Sequence, residues 1–272
     1  MSDFTLSLYE KAMPSDISWP ERLAAAQKAG FDALEISIDE SEERLSRLYR
    51  IPEISAELRK ASRSSGISIF TMCLSAHRKF PLGSTDPSLR KQSLDIMERA
   101  VDLAAESGIR IIQLAGYDVY YEPSTQKTKE LFLEGLVQCV AMASKKGVIL
   151  GFETMENDFM NTVSKAMIYV EKINSPYLQV YPDIGNISNG APDIETDLKS
   201  GTGHLVAAHL KETAPGVFRD MKFGQGSVNF ALAADILKSM GVRLYNAEFW
   251  HKDGEDWQTE LKKANDFLRK YL

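Results

Sequence analysis

The hydrophobic positions of this 272-residue chain fall in short runs, and a longer amphipathic segment follows each run. Short apolar runs bounded by turn residues are typical of strands that are covered on both faces, as in parallel sheets. Eight such strands are predicted: Phe4–Tyr9, Ala33–Ile38, Ile67–Leu74, Ile109–Leu114, Val148–Glu153, Leu178–Asp183, Leu205–Leu210 and Val242–Phe249.

The segments between these runs have the periodicity of helices, and most of them stop at a glycine. The predicted helices span about 18–29, 41–64 with a break at Pro52, 87–107, 125–146, 162–173, 193–200, 230–240 and 256–271. Eight strand–helix repeats in a chain of this length predict an α/β fold, a single-domain (β/α)8 TIM barrel over residues 1–272. A doubly wound open sheet is the alternative, but no Gly-rich phosphate fingerprint follows the first strand.

Composition narrows the classes of function. Acidic residues outnumber basic ones, 38 to 32, so the sequence offers no overall basic character for binding nucleic acid. No apolar run approaches the roughly 20 residues that cross a bilayer, and Met1-Ser2-Asp3-Phe4 does not resemble a signal peptide. Cys73 and Cys139 lie far apart in apolar surroundings, which favours reduced core thiols. We therefore expect a cytoplasmic protein with no membrane partner.

Four successive predicted strands, the fifth to the eighth, end on a residue type that binds metals. These residues are Glu153, Asp183, His209 and Glu248. In a closed barrel the carboxyl ends of all strands meet at one mouth, so residues that are distant in sequence converge there. Three carboxylates and one imidazole suit a divalent ion such as Zn²⁺, Mn²⁺, Co²⁺ or Mg²⁺. The pattern predicts a metal site.

Each of the four residues also has an ordinary structural interpretation. Glu153 could be a carboxylate at the surface edge of the sheet, and Asp183 could cap a helix or turn. His209 could be a hydrogen-bonded core histidine, and Glu248 could pair with a lysine. The recurrence at four strand ends favours the metal site over four independent coincidences.

Several longer segments carry a resemblance to a known family over nearly the whole chain. They are Leu8-Tyr9-Glu10-Lys11-Ala12, Met72-Cys73-Leu74-Ser75-Ala76-His77-Arg78, Phe80-Pro81-Leu82-Gly83-Ser84, Ile112-Gln113-Leu114-Ala115-Gly116-Tyr117-Asp118-Val119-Tyr120-Tyr121, Tyr181-Pro182-Asp183-Ile184-Gly185-Asn186 and Pro215-Gly216-Val217-Phe218. In these segments the chain resembles the L-ribulose-5-phosphate 3-epimerases, also described as L-xylulose-5-phosphate 3-epimerases, of the xylose isomerase-like TIM-barrel superfamily.

The resemblance implies that Glu153, Asp183, His209 and Glu248 bind the metal. It implies that Glu153 and Glu248 exchange the C3 proton of a small sugar phosphate through a metal-stabilised cis-enediolate. It suggests L-ascorbate or L-xylulose catabolism, and it is compatible with a homodimer. The neighbours of the glutamates depart from the family pattern at Thr154-Met155-Glu156 and at His251, which leaves fine substrate preference open.

A phosphate group needs cationic or N–H donors at the rim of the mouth. Ser75, His77 and Arg78 after the third strand are the first candidates, with Tyr120 as a hydroxyl donor. Arg219 and Lys222 in the loop after the seventh strand are further candidates, while His77-Arg78-Lys79 could instead be a solvated charge run. Lys211 could face the site or pair with Glu212.

Other functions compete with epimerisation. An aldose–ketose isomerase of the same superfamily would need similar ligands but would move hydrogen between C1 and C2. A DNA-repair endonuclease of the related barrel type is disfavoured by the acidic balance and by a total of four histidines. A noncatalytic sugar-binding barrel is the third alternative, and it would need no metal.

Overall fold

Eight parallel strands form the centre of the molecule in a computed structural model, which describes residues 3–272. Their bounds are β1 Thr5–Tyr9, β2 Ala33–Ile38, β3 Ser68–Leu74, β4 Ile111–Ala115, β5 Ile149–Glu153, β6 Leu178–Val180, β7 Ala208–Leu210 and β8 Leu244–Ala247.

The strands close into a ring. Each consecutive pair from β1 to β6 lies side by side, β7 pairs with β8, and β8 returns to pair with β1. Between β6 and β7 the ring is completed by two isolated parallel bridges, Val180 with Leu205 and Asp183 with His209. This topology confirms the (β/α)8 barrel and excludes the doubly wound open sheet, whose strand order reverses at a switch point.

Ten helices of the described chain surround the ring: α1 Trp19–Ala29, α2 Glu42–Ser46, α3 Ile51–Ser65, α4 Pro87–Ser107, α5 Gln126–Lys146, α6 Val163–Ile173, α7 Ile184–Gly190, α8 Ile194–Ser200, α9 Phe230–Ser239 and α10 Trp257–Leu268. Short 3-10 helices span Glu10–Ala12, Arg47–Tyr49 and Ala76–Arg78. Gly30 and Gly147 follow α1 and α5 with φ of 97° and 70°, a backbone conformation that side chains other than glycine rarely adopt. Within residues 3–272 no helix combines the length and apolarity needed to span a bilayer.

The structure corrects several predicted boundaries. The predicted helix 41–64 is split into α2 and α3 by the 3-10 turn Arg47–Tyr49. Strand β6 ends at Val180 instead of Asp183, since Pro182 has no N–H to donate to a neighbouring strand. Helix α7 was not predicted at all, because Ile184-Gly185-Asn186 has the composition of a loop.

The interior of the barrel contains a polar layer where branched aliphatic residues usually dominate. Its members come from or directly follow the even-numbered strands, and all are fully buried: Glu35, Gln113, Tyr181 and Asn246. The Tyr181 hydroxyl and the Asn246 amide donate hydrogen bonds to Glu35 at 3.0 and 2.8 Å. The layer is only partly paired, because Gln113 Oε1 and Asn246 Oδ1 have no hydrogen-bond partner within residues 3–272, whereas both oxygens of Glu35 accept hydrogen bonds.

Candidate active site

Four side chains converge at the carboxyl end of the barrel. Glu153 ends β5, Asp183 precedes α7, His209 lies within β7, and Glu248 follows β8. One potential ligand atom from each residue lies within 4.8 Å of the other three, and all four residues are buried. The structure thus brings together the quartet that the sequence pattern singled out.

Asp183 caps a helix, as one interpretation of the sequence predicted, and it also lies in the cluster. Its Oδ1 accepts a hydrogen bond from the Asn186 amide at 3.0 Å and thereby caps α7, while its own amide donates to Thr154 Oγ1 at 2.9 Å. Its Oδ2 lies 2.5 Å from Lys211 Nζ, inside the cluster. A Cβ atom at Gly185 would lie 2.7 Å from the Lys211 carbonyl oxygen, so this turn requires glycine.

His209 is held between carboxylates on both sides of its ring. Its Nε2 lies 2.7 Å from Glu35 Oε1. Its Nδ1 lies 3.1 Å from Glu153 Oε1 and 3.3 Å from Glu248 Oε2. The ring is therefore oriented with Nδ1 toward the cluster, and although burial disfavours the charged form, the carboxylates of Glu35 and Glu248 raise the pKa of His209.

Lys211 lies in the cluster and does not pair with Glu212. Its Nζ is 2.5 Å from Asp183 Oδ2 and 3.5 Å from Glu248 Oε2. Glu212 turns away, and its carboxylate accepts hydrogen bonds from the Gly224 and Val228 amides of the following loop. The sequence alternative of a Lys211–Glu212 pair is thereby resolved in favour of the site.

Crowding of negative charge perturbs the carboxylates. Burial raises the pKa of Asp183 to about 7 against the opposing effect of Lys211. Burial and the nearby Glu248 carboxylate also raise the pKa of Glu153. Glu248 is buried too, but Lys211 and His209 lower its pKa. A single ammonium and an imidazole do not neutralise three buried carboxylates well, and this is a cluster that a divalent cation would stabilise.

The donor set fits such a cation. Carboxylate oxygens and one imidazole nitrogen bind Zn²⁺, Mn²⁺, Co²⁺ and Mg²⁺, and ligand atoms on opposite sides of one ion are separated by about 4 Å. The 4.8 Å within which the four ligand atoms lie is close to that span. Glu153, Asp183, His209 and Glu248 are the residues that could hold the ion.

A cavity of 140 Å³ is lined by Glu153 and Glu248 of the quartet and reaches the surface. It is lined by five of the residues predicted to bind substrate or phosphate, which are Ser75, Arg78, Tyr120, Lys211 and Arg219. The guanidinium of Arg78 lies 4.8 Å from the Tyr120 ring centre, and that of Arg219 lies 4.7 Å from the ring centre of Trp250. Cation–π contacts with these aromatic rings thus hold both guanidinium groups at the rim of the cavity.

His77 and Lys222 do not line this cavity. The 3-10 turn Ala76–Arg78 directs His77 into the protein, where its Nε2 lies 3.1 Å from the Ser93 carbonyl oxygen and burial lowers its pKa to about 4. Lys222 pairs with two glutamates of the neighbouring loop and helix α10. Neither side chain is therefore placed to contact a phosphate group bound in this cavity.

Glu35 and Lys11 are among the residues of the site that were missed at the level of sequence. Glu35 is the one charged residue in the apolar run Ala33–Ile38, and a carboxylate inside a continuous buried strand was the available signal. Lys11 lines the cavity and pairs with Asp39 at 2.5 Å. Lys11 belongs to the segment Leu8–Ala12 that carries the family resemblance, but nothing in its local pattern separates it from a surface lysine.

Comparison with known proteins agrees with this geometry. A family model described as xylose isomerase-like TIM barrel matches residues 23–271. An L-ribulose-5-phosphate 3-epimerase UlaE of Escherichia coli is 45% identical over 265 residues, covering 97% of this chain and 93% of that protein. The protein of the same name from Shigella sonnei has the same identity and coverage, 45%, 97% and 93%.

Solved structures share the fold at low identity. An L-ribulose 3-epimerase matches with a TM-score of 0.83 and 18% identity, covering 99% of this chain and 94% of that one. A D-allulose 3-epimerase from Methylomonas sp. matches with a TM-score of 0.81 and 18% identity, covering 99% and 98% of the two chains. The family model and the curated relatives match the sequence itself over most of the chain, which is stronger evidence than a shared fold. The chain therefore belongs to the L-ribulose-5-phosphate 3-epimerase family of xylose isomerase-like TIM barrels.

Proposed function

We propose that this chain is a metal-dependent epimerase that interconverts L-ribulose 5-phosphate and L-xylulose 5-phosphate by inverting C3. The observation that carries the proposal is the placement of two glutamates, Glu153 and Glu248, in one buried ligand set beneath a cavity with a cationic rim. Relatives at 45% identity that bear this activity in their names support the choice of substrate. Because the substrate is a phosphorylated metabolite, we propose that the enzyme acts in the cytoplasm.

The metal would be held by Glu153, Asp183, His209 and Glu248, as Zn²⁺, Mn²⁺, Co²⁺ or Mg²⁺. When bound, such an ion withdraws electron density from the C2 carbonyl oxygen and so makes the neighbouring C3–H bond more acidic. The protein contributes the orientation of the ligands: Glu35 fixes the His209 ring, and the start of α7 fixes Asp183.

Inversion at C3 needs one base to remove the proton and an acid on the opposite face to return it. Glu153 and Glu248 come from strands that are separated in the ring by β6 and β7, so their carboxylates approach the cavity from different walls. The two carboxyl groups have different surroundings: burial and the Glu248 carboxylate raise the pKa of Glu153, whereas for Glu248 the effect of burial is outweighed by Lys211 and His209, which lower its pKa. In the reverse reaction the two residues exchange roles.

The 5-phosphate would lie at the rim, where Arg78 is the principal candidate. Its buried Nε has no hydrogen-bond partner within residues 3–272, and the guanidinium is fixed against aromatic rings. Ser75 and Tyr120 line the same cavity and can donate hydroxyl hydrogen bonds, and Arg219 faces them from the loop after β7. Planar guanidinium groups match phosphate oxygens through paired hydrogen bonds.

The test is hydrogen exchange in deuterated water, followed by NMR on L-ribulose 5-phosphate. The wild-type enzyme should form L-xylulose 5-phosphate and incorporate deuterium at C3, whereas an aldose–ketose isomerase would label C1 or C2 and release an aldose. Glu153→Gln and Glu248→Gln should each lose epimerisation by about 10²-fold or more, with exposed Glu171→Gln on α6 as the control. Retained turnover in both variants, with metal content measured on the same samples, would exclude the two-glutamate mechanism.

A further inference from the structure

Glu35 is a fully buried carboxylate that lies beneath the ligand cluster and takes no part in it directly. Its Oε1 accepts hydrogen bonds from His209 Nε2 at 2.7 Å and from Asn246 Nδ2 at 2.8 Å. Its Oε2 accepts one from the Tyr181 hydroxyl at 3.0 Å. A lone carboxylate in a barrel core is costly, and here it is retained with three donors directed at it.

We propose that Glu35 is a positioning residue that keeps the proton of His209 on Nε2 and so reserves Nδ1 for the metal. This inference rests on the metal site of the proposed function. Both oxygens of Glu35 already accept hydrogen bonds, from the Asn246 amide and the Tyr181 hydroxyl, so Glu35 faces His209 as an acceptor and the ring nitrogen toward it carries the proton. The opposite nitrogen, Nδ1, is the one that lies near Glu153 and Glu248.

The surrounding contacts hold Glu35 in the orientation that this role requires. Asn246 and His209 are paired neighbours on β8 and β7, and both donate to the same oxygen of Glu35. Gln113 lies on the other side of the ring, with its Nε2 3.3 Å from His209 Nδ1. The imidazole is thus fixed from two sides before any ion enters.

A carboxylate behind a metal-binding histidine also makes the imidazole a more basic ligand. Loss of such a partner typically weakens metal binding by 10- to 100-fold. Glu35 therefore sets the affinity of the site as well as its geometry, although it touches neither the ion nor the sugar.

The first experiment measures the dissociation constant of Zn²⁺ by competition with a chromophoric chelator. Glu35→Gln should weaken Zn²⁺ binding by roughly 10- to 100-fold. Tyr181→Phe is the matched control: it removes a hydrogen bond from the same carboxylate but leaves Oε1 on His209, and its affinity should stay within a few-fold of wild type. Equal affinity of Glu35→Gln and wild type would overturn the inference.

The second experiment makes its measurement on the wild-type protein, and a variant serves only to assign the His209 signals. In the Zn²⁺-loaded wild-type protein with ¹⁵N-labelled histidine, the His209 ring should show a proton bonded to Nε2 and a metal-shifted Nδ1, with His209→Asn used for assignment. A ring that binds Zn²⁺ through Nε2 would overturn the inference. Failure of the wild type to bind any ion would instead remove the metal from the proposed function, so the two failures are distinguishable.

Discussion

Replacement of Lys211 by methionine is the sharpest test of how the site balances charge. The Lys211 ammonium lies 2.5 Å from Asp183 Oδ2 and 3.5 Å from Glu248 Oε2, and only 6% of the residue is exposed. Methionine keeps the length of the side chain and removes the charge. Removal of one partner from a buried ion pair costs about 3–5 kcal/mol. We expect the lower end, about 3 kcal/mol, because the raised pKa of Asp183 lets that carboxyl take up a proton instead.

The assay is thermal unfolding of wild type and Lys211→Met in the presence of a chelator and again with Mn²⁺. In chelator the variant should melt about 6–12 °C below wild type, because 1 kcal/mol corresponds to about 2–4 °C in a domain of this size. With Mn²⁺ the gap should shrink, since the ion neutralises the same carboxylates and stabilises both proteins by mass action.

Lys222→Met serves as the matched control. Lys222 pairs with Glu255 and Glu260 at 3.1 Å at the surface, where solvent and salt screen the charges, so its loss should lower the melting temperature far less. If Lys211→Met and Lys222→Met melted alike in chelator, or if Mn²⁺ left the Lys211→Met gap unchanged, the proposed sharing of carboxylates between ammonium and metal would be refuted.

Two further predictions concern the loop after β3. Arg78→Ala should raise the KM for L-ribulose 5-phosphate by about 10-fold or more, and steady-state kinetics that show an equal effect on unphosphorylated L-ribulose would contradict a phosphate role. Buried His77 has its pKa lowered from 6.5 to about 4, so the unfolded chain takes up this proton first and stability falls as the pH drops from about 6.5 toward 4. Urea unfolding should show wild type losing about 2 kcal/mol more than His77→Gln between about pH 7.5 and pH 5, and parallel pH profiles would disprove the assignment.

The barrel and the convergence of the quartet could be predicted from the sequence because both depend on patterns within short segments of the chain. Continuous apolar runs indicate strands that are buried on two faces. A ligand residue at the end of such a strand lies at the carboxyl end of the barrel, independently of the conformation of the loops. Glu153 and Glu248 could therefore be placed at the same end of the barrel without knowledge of any contact between them. The strands were predicted too long where Pro182 interrupts pairing, which depends on the neighbouring strand and not on hydrophobicity.

The rest of the site depends on contacts between residues far apart in the chain. Glu35 and His209 are 174 positions apart in the sequence, and no pattern within β2 indicates that they are in contact. His77 and Arg78 are adjacent in sequence, yet one turn of 3-10 helix sends the first into the core and leaves the second at the rim. Whether a residue in such a turn faces substrate is decided by backbone geometry that residue type does not encode.

The ring of strands has one joint that differs from the others. The other neighbouring strands pair over three or more residues, but within residues 3–272 the segments of β6 and β7 are joined by two isolated bridges, Val180–Leu205 and Asp183–His209. The second of these bridges joins two of the proposed ligands. A cation bound by both would therefore also stabilise the joint of the barrel that has the fewest paired residues. We therefore expect substitution of Asp183 or His209 to change both the proposed metal site and the stability of the joint between β6 and β7.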